Sequence, residues 1–511
     1  MMQANFQGIA SGTTHDESRA RALLHRLIIF CIFALAVSAP HSIAATQFFW
    51  ATGLALWAAR LCSRHARREL HRTPLDYALL GFFALTVVSS FFSYEPEVSI
   101  GKLRGASLFT IAYLVAQNVR TPHMARKLAL VVIASCMINV GYTFIERALG
   151  RGVKIYAMRA DSPLRSARIQ EGDTLLAVDG RTIRGIEDLE RALREPTAAP
   201  ARVQIYRYEW IGTLDVPRTT LNGGSAEERL GIAHWGRGRD WRAAGFYGHY
   251  ATYAEVLQLI ASLALGLLVS AQQRAEARRW RLPLALALAG LLGALFLTVT
   301  RASWLAFLLS GFVVIAVGTM SRRAVLVMLA AALLIAPVGL RFLQQKRNVG
   351  FFDRRDGSIQ WRETVYREGF DLLISRPRHL LVGIGMDSIK RHWREWGLFD
   401  QGRLPIGHMH STPLQLALER GLPTLAVWLV LIALYARMLW RLLRDRKLDD
   451  WRDHGIVLGA LGGLAGFFAS GLVHYNLGDS EVAMVFYLIM GIALVIERES
   501  RTHLELSASN R

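Results

Sequence analysis

Four short stretches of this 511-residue chain hold the side chains best suited to chemistry. Arg242 opens Arg242-Ala-Ala-Gly-Phe-Tyr-Gly-His249, just ahead of an apolar run, and Arg301 sits in Thr298-Val-Thr-Arg301-Ala-Ser-Trp304, between two such runs. Arg362 closes Ser358-Ile-Gln-Trp-Arg362. Farther on, Gly383-Ile-Gly385-Met-Asp387 leads to His408-Met-His410-Ser411, and nine residues separate Ser411 from Gly421. Arginine stays charged, and its planar fork pairs bidentately with phosphate oxygens. Histidine titrates near neutrality and can take a proton from a hydroxyl. An arginine at the end of an apolar run commonly snorkels to the interface, but charge within or beside a run is expensive, which singles out Arg301. No metal centre is read: His408 and His410 lack a nearby carboxylate or thiol set, and neither HExxH nor a DxD-type pair accompanies them. Metal-independent chemistry without a cofactor is expected.

The elements that must position these residues are membrane spans. Hydrophobic residues make up 52% of the chain and charged ones 20%, and the apolar residues come in blocks. Leu282–Thr298, Ala302–Met320, Ala324–Val338 and Leu422–Tyr435 contain no charge, and a spanning helix needs roughly 20 mostly apolar residues. The length rule gives about twelve spans, near 23–40, 47–62, 76–93, 103–119, 127–146, 250–270, 282–299, 302–320, 324–341, 422–440, 455–473 and 482–497. The fold class is thus a mostly α, polytopic membrane protein.

The net charge of +20 does not point to nucleic acid, because most Lys and Arg residues lie in short loops between blocks. Ser63–Arg72, Gln272–Arg281 and Arg437–Arg452 are basic and fall on one side. Pro40–Gln47, Tyr94–Ile100 and His474–Glu481, on the other, have no Lys or Arg. Positive loops stay cytoplasmic, which predicts an inner-membrane protein with both termini cytoplasmic and two long periplasmic segments. The polar stretch Met1–Arg21 gives no cleavable signal, and the first apolar block reads as a retained helix. Cys31, Cys62 and Cys136 lie in or beside apolar blocks as packing residues, without a CxxC pair. The expected divisions are 1–149 (spans one to five), 150–222 (a soluble insert), 223–341 (spans six to nine), 342–411 (a catalytic loop) and 412–511 (spans ten to twelve and a tail). A basic excess in the loop, including Arg354, Arg355, Arg362, Arg367 and Arg376, suits an anionic substrate.

In the insert, Ser162-Pro163 predicts a helical turn, Thr174–Val178 a strand, Asp179-Gly180 a tight turn and Ile186–Leu193 a helix, with further strands at Val203–Tyr208 and around Leu214–Val216. The run from Ala160 to Gly180 resembles a bacterial PDZ domain, a small α+β fold. Such domains add an extended peptide to a sheet edge, which implies a protein partner. The segment Arg151–Met158 leaves little room for the Gly-rich carboxylate-binding loop that usually precedes the first strand, so a spacer or docking surface without peptide affinity is an equal alternative.

Taken together, TxxRxxW at Thr298–Trp304, the RP…GIG run at Arg376–Gly385 and H[NSQ]x9GxxG from His410 resemble the O-antigen ligase and polymerase superfamily of membrane glycosyltransferases. Thr424 stands where the ligase pattern ends in glycine. The resemblance implies transfer of a glycan from undecaprenyl diphosphate to an acceptor hydroxyl, for which lipid A-core is the expected acceptor, with inversion at the anomeric carbon. It implies Arg242, Arg301 and Arg362 as diphosphate ligands and His410 as the base or acceptor-orienting residue, with Asp387 and His408 as lesser candidates. A polymerase or a protein O-oligosaccharyltransferase stays open within the class. A lipid-linked glycan transporter or envelope scaffold is the alternative outside it, although clustering of the reactive residues on one face favours an enzyme.

Overall fold

The computed structural model describes residues 4–62, 67, 69–197, 199–207, 210–319, 357–444 and 448–509. Eleven of the twelve apolar runs fall among the described residues, and each is helical. In chain order the first helices are α1 (Ala4–Ser38), α2 (Ile43–Leu61), α3 (Asp76–Phe91), α4 (Pro96–Asn118, with a 3-10 turn at Ser107–Phe109) and α5 (Pro122–Leu149). After the insert come α9 (Tyr250–Gln272), α10 (Arg278–Leu297) and α11 (Arg301–Thr319). Amphipathic α12 (Gly357–Ile374) and short α13 (Pro377–Val382) precede α14 (Thr412–Arg444), α15 (Trp451–Gly471) and α16 (Ser480–Ser509). Among the described residues nine helices are long and apolar enough to cross a membrane. The expected span at 324–341 lies outside the described residues, as do Arg354 and Arg355.

Apolar side chains on all sides suit a helix to the centre of a bundle. Helices α9 and α16 are of this kind and are buried along nearly their whole length, whereas α1, α10 and α11 expose much of theirs. Helix α9 lies backbone to backbone against α15, through Gly266 on one side and Gly455 and Gly459 on the other. Small residues permit such an approach where lipid supplies no hydrophobic drive between helices.

The loops sort to two ends. At one end Arg60 reaches Asn118 (3.1 Å) and Glu69 (3.0 Å), and Arg126 bridges Asp450 and Asp453 (both 2.6 Å). The other end carries the insert, where Tyr247 donates to Ala39 O (2.7 Å) and Tyr94 N to Ile384 O (3.1 Å).

The insert comprises β1 (Arg151–Met158), α6 (Pro163–Ser166), β2 (Thr174–Val178), β3 (Arg181–Thr182), α7 (Ile186–Leu193), β4 (Ala201–Arg207), β5 (Trp210–Val216), α8 (Ala226–Leu230) and β6 (Ile232–Gly238). The sheet order is β5-β4-β2-β1-β6, with β3 paired to β2. Asp179 and Gly180 both take positive φ (49° and 80°) in the expected turn. Strand β6 comes from beyond residue 222, where the sequence reading ended the insert. It pairs antiparallel with β1 from Arg151↔Gly238 to Met158↔Ile232.

A Cβ at Gly266 would lie 2.3 Å from Gly459 N, whereas one at Gly463 meets nothing closer than 3.6 Å. Gly266→Ala is therefore expected to force α9 and α15 apart and lose at least about 2 kcal/mol, within the usual range for overpacking, with Gly463→Ala near neutral. Thermal melts of the two purified variants in detergent check the contrast.

Candidate active site at the insert end of the bundle

The site is built on a broken helix. Helix α14 turns sharply at Gly421 (φ 83°, ψ 163°), and Pro423 has no N–H for the Glu419 carbonyl. Replacement donors come from the Gly383–Gly385 stretch: Ile384 N gives to Leu418 O and Gly385 N to Glu419 O, both at 2.9 Å. Ser89 Oγ adds a third bond, to Glu419 O (3.0 Å). The approach is so close that a Cβ on Gly421 would sit 2.3 Å from Leu381 O. Thr424, the residue that departs from the ligase pattern, turns its hydroxyl onto Arg420 O (2.7 Å). The GIG run and the glycine ten residues after Ser411 are thus two sides of one packing unit. It fixes the N-terminal half of α14, and with it His410, against α3.

His410 has a left-handed backbone (φ 47°), which is uncommon for a residue with a Cβ. Its N–H points to His408 Nδ1 (3.2 Å), and its carbonyl accepts from Tyr366 Oη (2.9 Å) on α12. The ring meets Trp361 edge-on (4.3 Å between centroids) and lies 4.0 Å from His408 and 6.4 Å from His474. Its Nδ1 is buried and has no hydrogen-bond partner among the described residues. Burial, then the facing His408, His474 and Arg362, lowers the His410 pKa to about 2. Burial and nearby positive charge likewise lower His474 to about 3 and His408 to about 4. All three imidazoles are therefore neutral at pH 7.

Arg242 points at the joint between α10 and α11. Its Nε donates to Thr298 O (2.9 Å), and its Nη2 to Val299 O (2.8 Å) and Thr300 Oγ1 (3.1 Å). Its guanidinium lies over Tyr250 at 3.4 Å. Val299 has φ 53°, a strained value for a β-branched residue, and the Arg242 fork holds that turn. Arg301 starts α11 one residue beyond it. Arg242 and Arg362 both contribute to the positive field at His474, which puts these side chains at one end of the bundle. Asp387 is on a different wall, paired with Lys102 (2.7 Å) and Lys390 (2.9 Å). Burial would raise its pKa, but hydrogen bonds and charge from the two lysines bring it below the usual carboxylate value.

The arrangement adds residues that the sequence reading passed over. His474 and Trp361 flank His410, and His408 lines a cavity of about 350 Å³ together with Lys102, Arg104, Lys390, Glu419, Arg420 and Tyr475. Glu419 and Arg420 gave a signal: two charges immediately before an apolar block, and ionisable groups at membrane depth mark function.

Residues 284–429 match the O-antigen ligase family, and residues 154–207 match the PDZ domain. The first match contains Arg301, Arg362, Asp387, His408 and His410 but not Arg242, and the second ends before β6. No curated protein matches the chain. With its apolar helices, the ligase match makes this a multi-pass membrane protein similar to the glycan-handling ligases and polymerases.

The three histidines have folded pKa values below their ordinary 6.5, so between those values the unfolded chain holds more protons. Their contribution to stability is complete above pH 6.5 and is lost as pH falls below it, with a slope of at most about 1.4 kcal/mol per pH unit for each histidine. His474→Gln is expected to shrink the drop in melting temperature between pH 7 and pH 5. An unchanged drop in the variant would remove this histidine from the account.

Proposed function

We propose that this chain transfers a glycan from undecaprenyl diphosphate to the hydroxyl of an acceptor, the outer sugar of lipid A-core. The observation that carries the reading is the buried, unpartnered Nδ1 of a neutral His410 near the Arg362 guanidinium. A neutral imidazole with an open nitrogen can receive the proton of an attacking hydroxyl. In this reading the acceptor oxygen attacks the anomeric carbon and its proton passes to His410. The anomeric C–O bond to the carrier breaks, and the diphosphate leaves with the electron pair, its charge met by Arg362 and Arg301. Arg242 serves the same group chiefly by holding the Thr298–Thr300 turn from which Arg301 projects.

The positive field also connects the two substrates. With the donor absent, burial, reinforced by the Arg362 charge, holds the imidazole far below ordinary basicity. A bound diphosphate offsets that field, so His410 becomes a better base once a donor is in place. In this reading the end with the basic loops faces the cytoplasm, with both termini, and the insert and site face the periplasm, an orientation that the positive-inside rule supports. The insert is the surface for a protein partner.

Membranes of a ligase-deficient strain test the reading. Wild-type chain is expected to yield polymer on lipid A-core. His410→Ala should lower transfer by about 10²- to 10⁴-fold, the usual worth of general-base catalysis, and Arg301→Ala should leave polymer on the carrier, with both variants expressed normally. Lengthening of carrier-linked chains without core capping would make the protein a polymerase instead. Normal transfer by His410→Ala would remove the base.

A further inference from the structure

The cavity beside His408 holds more cationic hydrogen-bond donors than its own carboxylates can satisfy. Three carboxylates line it against four cations, Lys102, Arg104, Lys390 and Arg420: Asp387 is committed to Lys102 and Lys390, and Asp479 accepts from Thr252 Oγ1 (2.9 Å). Glu419 Oε1 accepts from Asp387 N (2.9 Å), and its Oε2 faces Tyr475 Oη at 3.4 Å. Arg420 is only 6% exposed, yet its Nε has no hydrogen-bond partner among the described residues. Its hydrogen bonds are long, 3.5 Å to Thr86 Oγ1 and 3.4 Å to Tyr475 Oη, and its guanidinium lies over the Phe82 ring at 5.5 Å. Arg104, on the same cavity, forms no ion pair with a carboxylate among the described residues. Buried charge persists where a counter-charge meets it, and a guanidinium with an open edge matches a phosphate or carboxylate. The wall also offers Gln47, Ser480 and Tyr487 for hydroxyl groups.

We propose that this cavity seats an anionic substituent, a phosphate or carboxylate, on the acceptor saccharide, with Arg420 and Arg104 as its ligands. The assignment to the acceptor rests on the transfer reading above. His408 lines the cavity beside Tyr475 (5.6 Å), whereas His410, with Trp361 packed on its ring and Arg362 acting on it, is not on the cavity wall. An acceptor held by its anion would therefore approach His410 past His408, 4.0 Å from it, and leave Arg362 to the donor's diphosphate. Arg420 is a binding residue here, and discrimination for charged over neutral acceptors is its consequence.

Ligand-observed NMR on the purified full chain in detergent tests this, with glucose 6-phosphate, glucuronic acid and glucose as acceptor probes and farnesyl diphosphate as the donor-like probe. Both anionic sugars are expected to bind at least tenfold more tightly than glucose. Arg104→Gln, at an exposed position that does not threaten folding, and Arg420→Lys, which keeps the charge but removes the fork, should each reduce that preference several-fold and leave farnesyl diphosphate binding intact. Equal binding of glucose and its anionic counterparts by wild type would overturn the proposal, as would a preference that survives both substitutions. Loss of farnesyl diphosphate binding in Arg104→Gln would give the seat to the donor and overturn it equally. Failure of glycan transfer in ligase-deficient membranes would sink the transfer reading while leaving these binding results as they stand.

Discussion

The candidate site depends on the repair of one broken helix. A chain break inside a membrane bundle strands backbone carbonyls that neither lipid nor a following helical turn can satisfy. At Gly421 the cost is met by a neighbouring backbone, since the Ile384 and Gly385 amides stand in for the missing donors. A side chain at Gly383 would come within 2.4 Å of the Glu419 and Arg420 backbone, so the exchange requires glycine there. The repair pins the loop to α14, and the loop carries Asp387 in one direction and His408 and His410 in the other. Without it the first turns of α14 would have no fixed relation to α3, and the cavity between them would lose its floor.

A second consequence is electrostatic. The broken helix lets polar and charged side chains lie deep in the bundle, where each charge acts at long range. Burial lowers both His410 and His474, the Arg362 charge acts on both, and the Arg242 charge acts on His474. Three histidines this close cannot all be charged, so the cluster stays neutral and leaves the positive charge to the arginines. Neutral bases beside permanent cations form an environment suited to an anionic leaving group and a hydroxyl nucleophile in the same reaction.

Much of this was legible in the residues, for reasons that differ from one feature to the next. The helices follow from apolar length, a constraint that backbone hydrogen bonding in lipid imposes on any sequence. The Asp179-Gly180 turn follows from the φ that its two residues tolerate. His410 and Gly421 could be placed in one unit because they are near in sequence. His474 could not, as it lies 64 residues after His410 and meets it only when α15 packs beside α14. Glu419 and Arg420 fell before the expected span at 422–440 and went unremarked, whereas they belong to a half-helix buried in protein. Arg242 read as a ligand from its type and position, but most of its fork faces backbone, which only the folded turn at Val299 reveals.

The insert is joined to this site by packing as well as by sequence. Strand β6 closes the sheet on β1 and leads within three residues to Trp241, which is buried with Leu176 and Tyr206 from the sheet and lies against Leu297 at the end of α10. Arg242 follows and grips the Val299 turn, and Ala243 N then donates to Leu297 O (2.9 Å). Arg147, at the end of α5, holds the same joint from the opposite side through Trp241 O (2.6 Å). Three consecutive residues thus tie the sheet, α5 and the start of α11 into one piece. A soluble domain tethered only by its termini would be free to tumble relative to the bundle. This one has a buried tryptophan at the hinge point and an arginine clamp beside it, so the position of its sheet and the position of Arg301 are set by the same contacts.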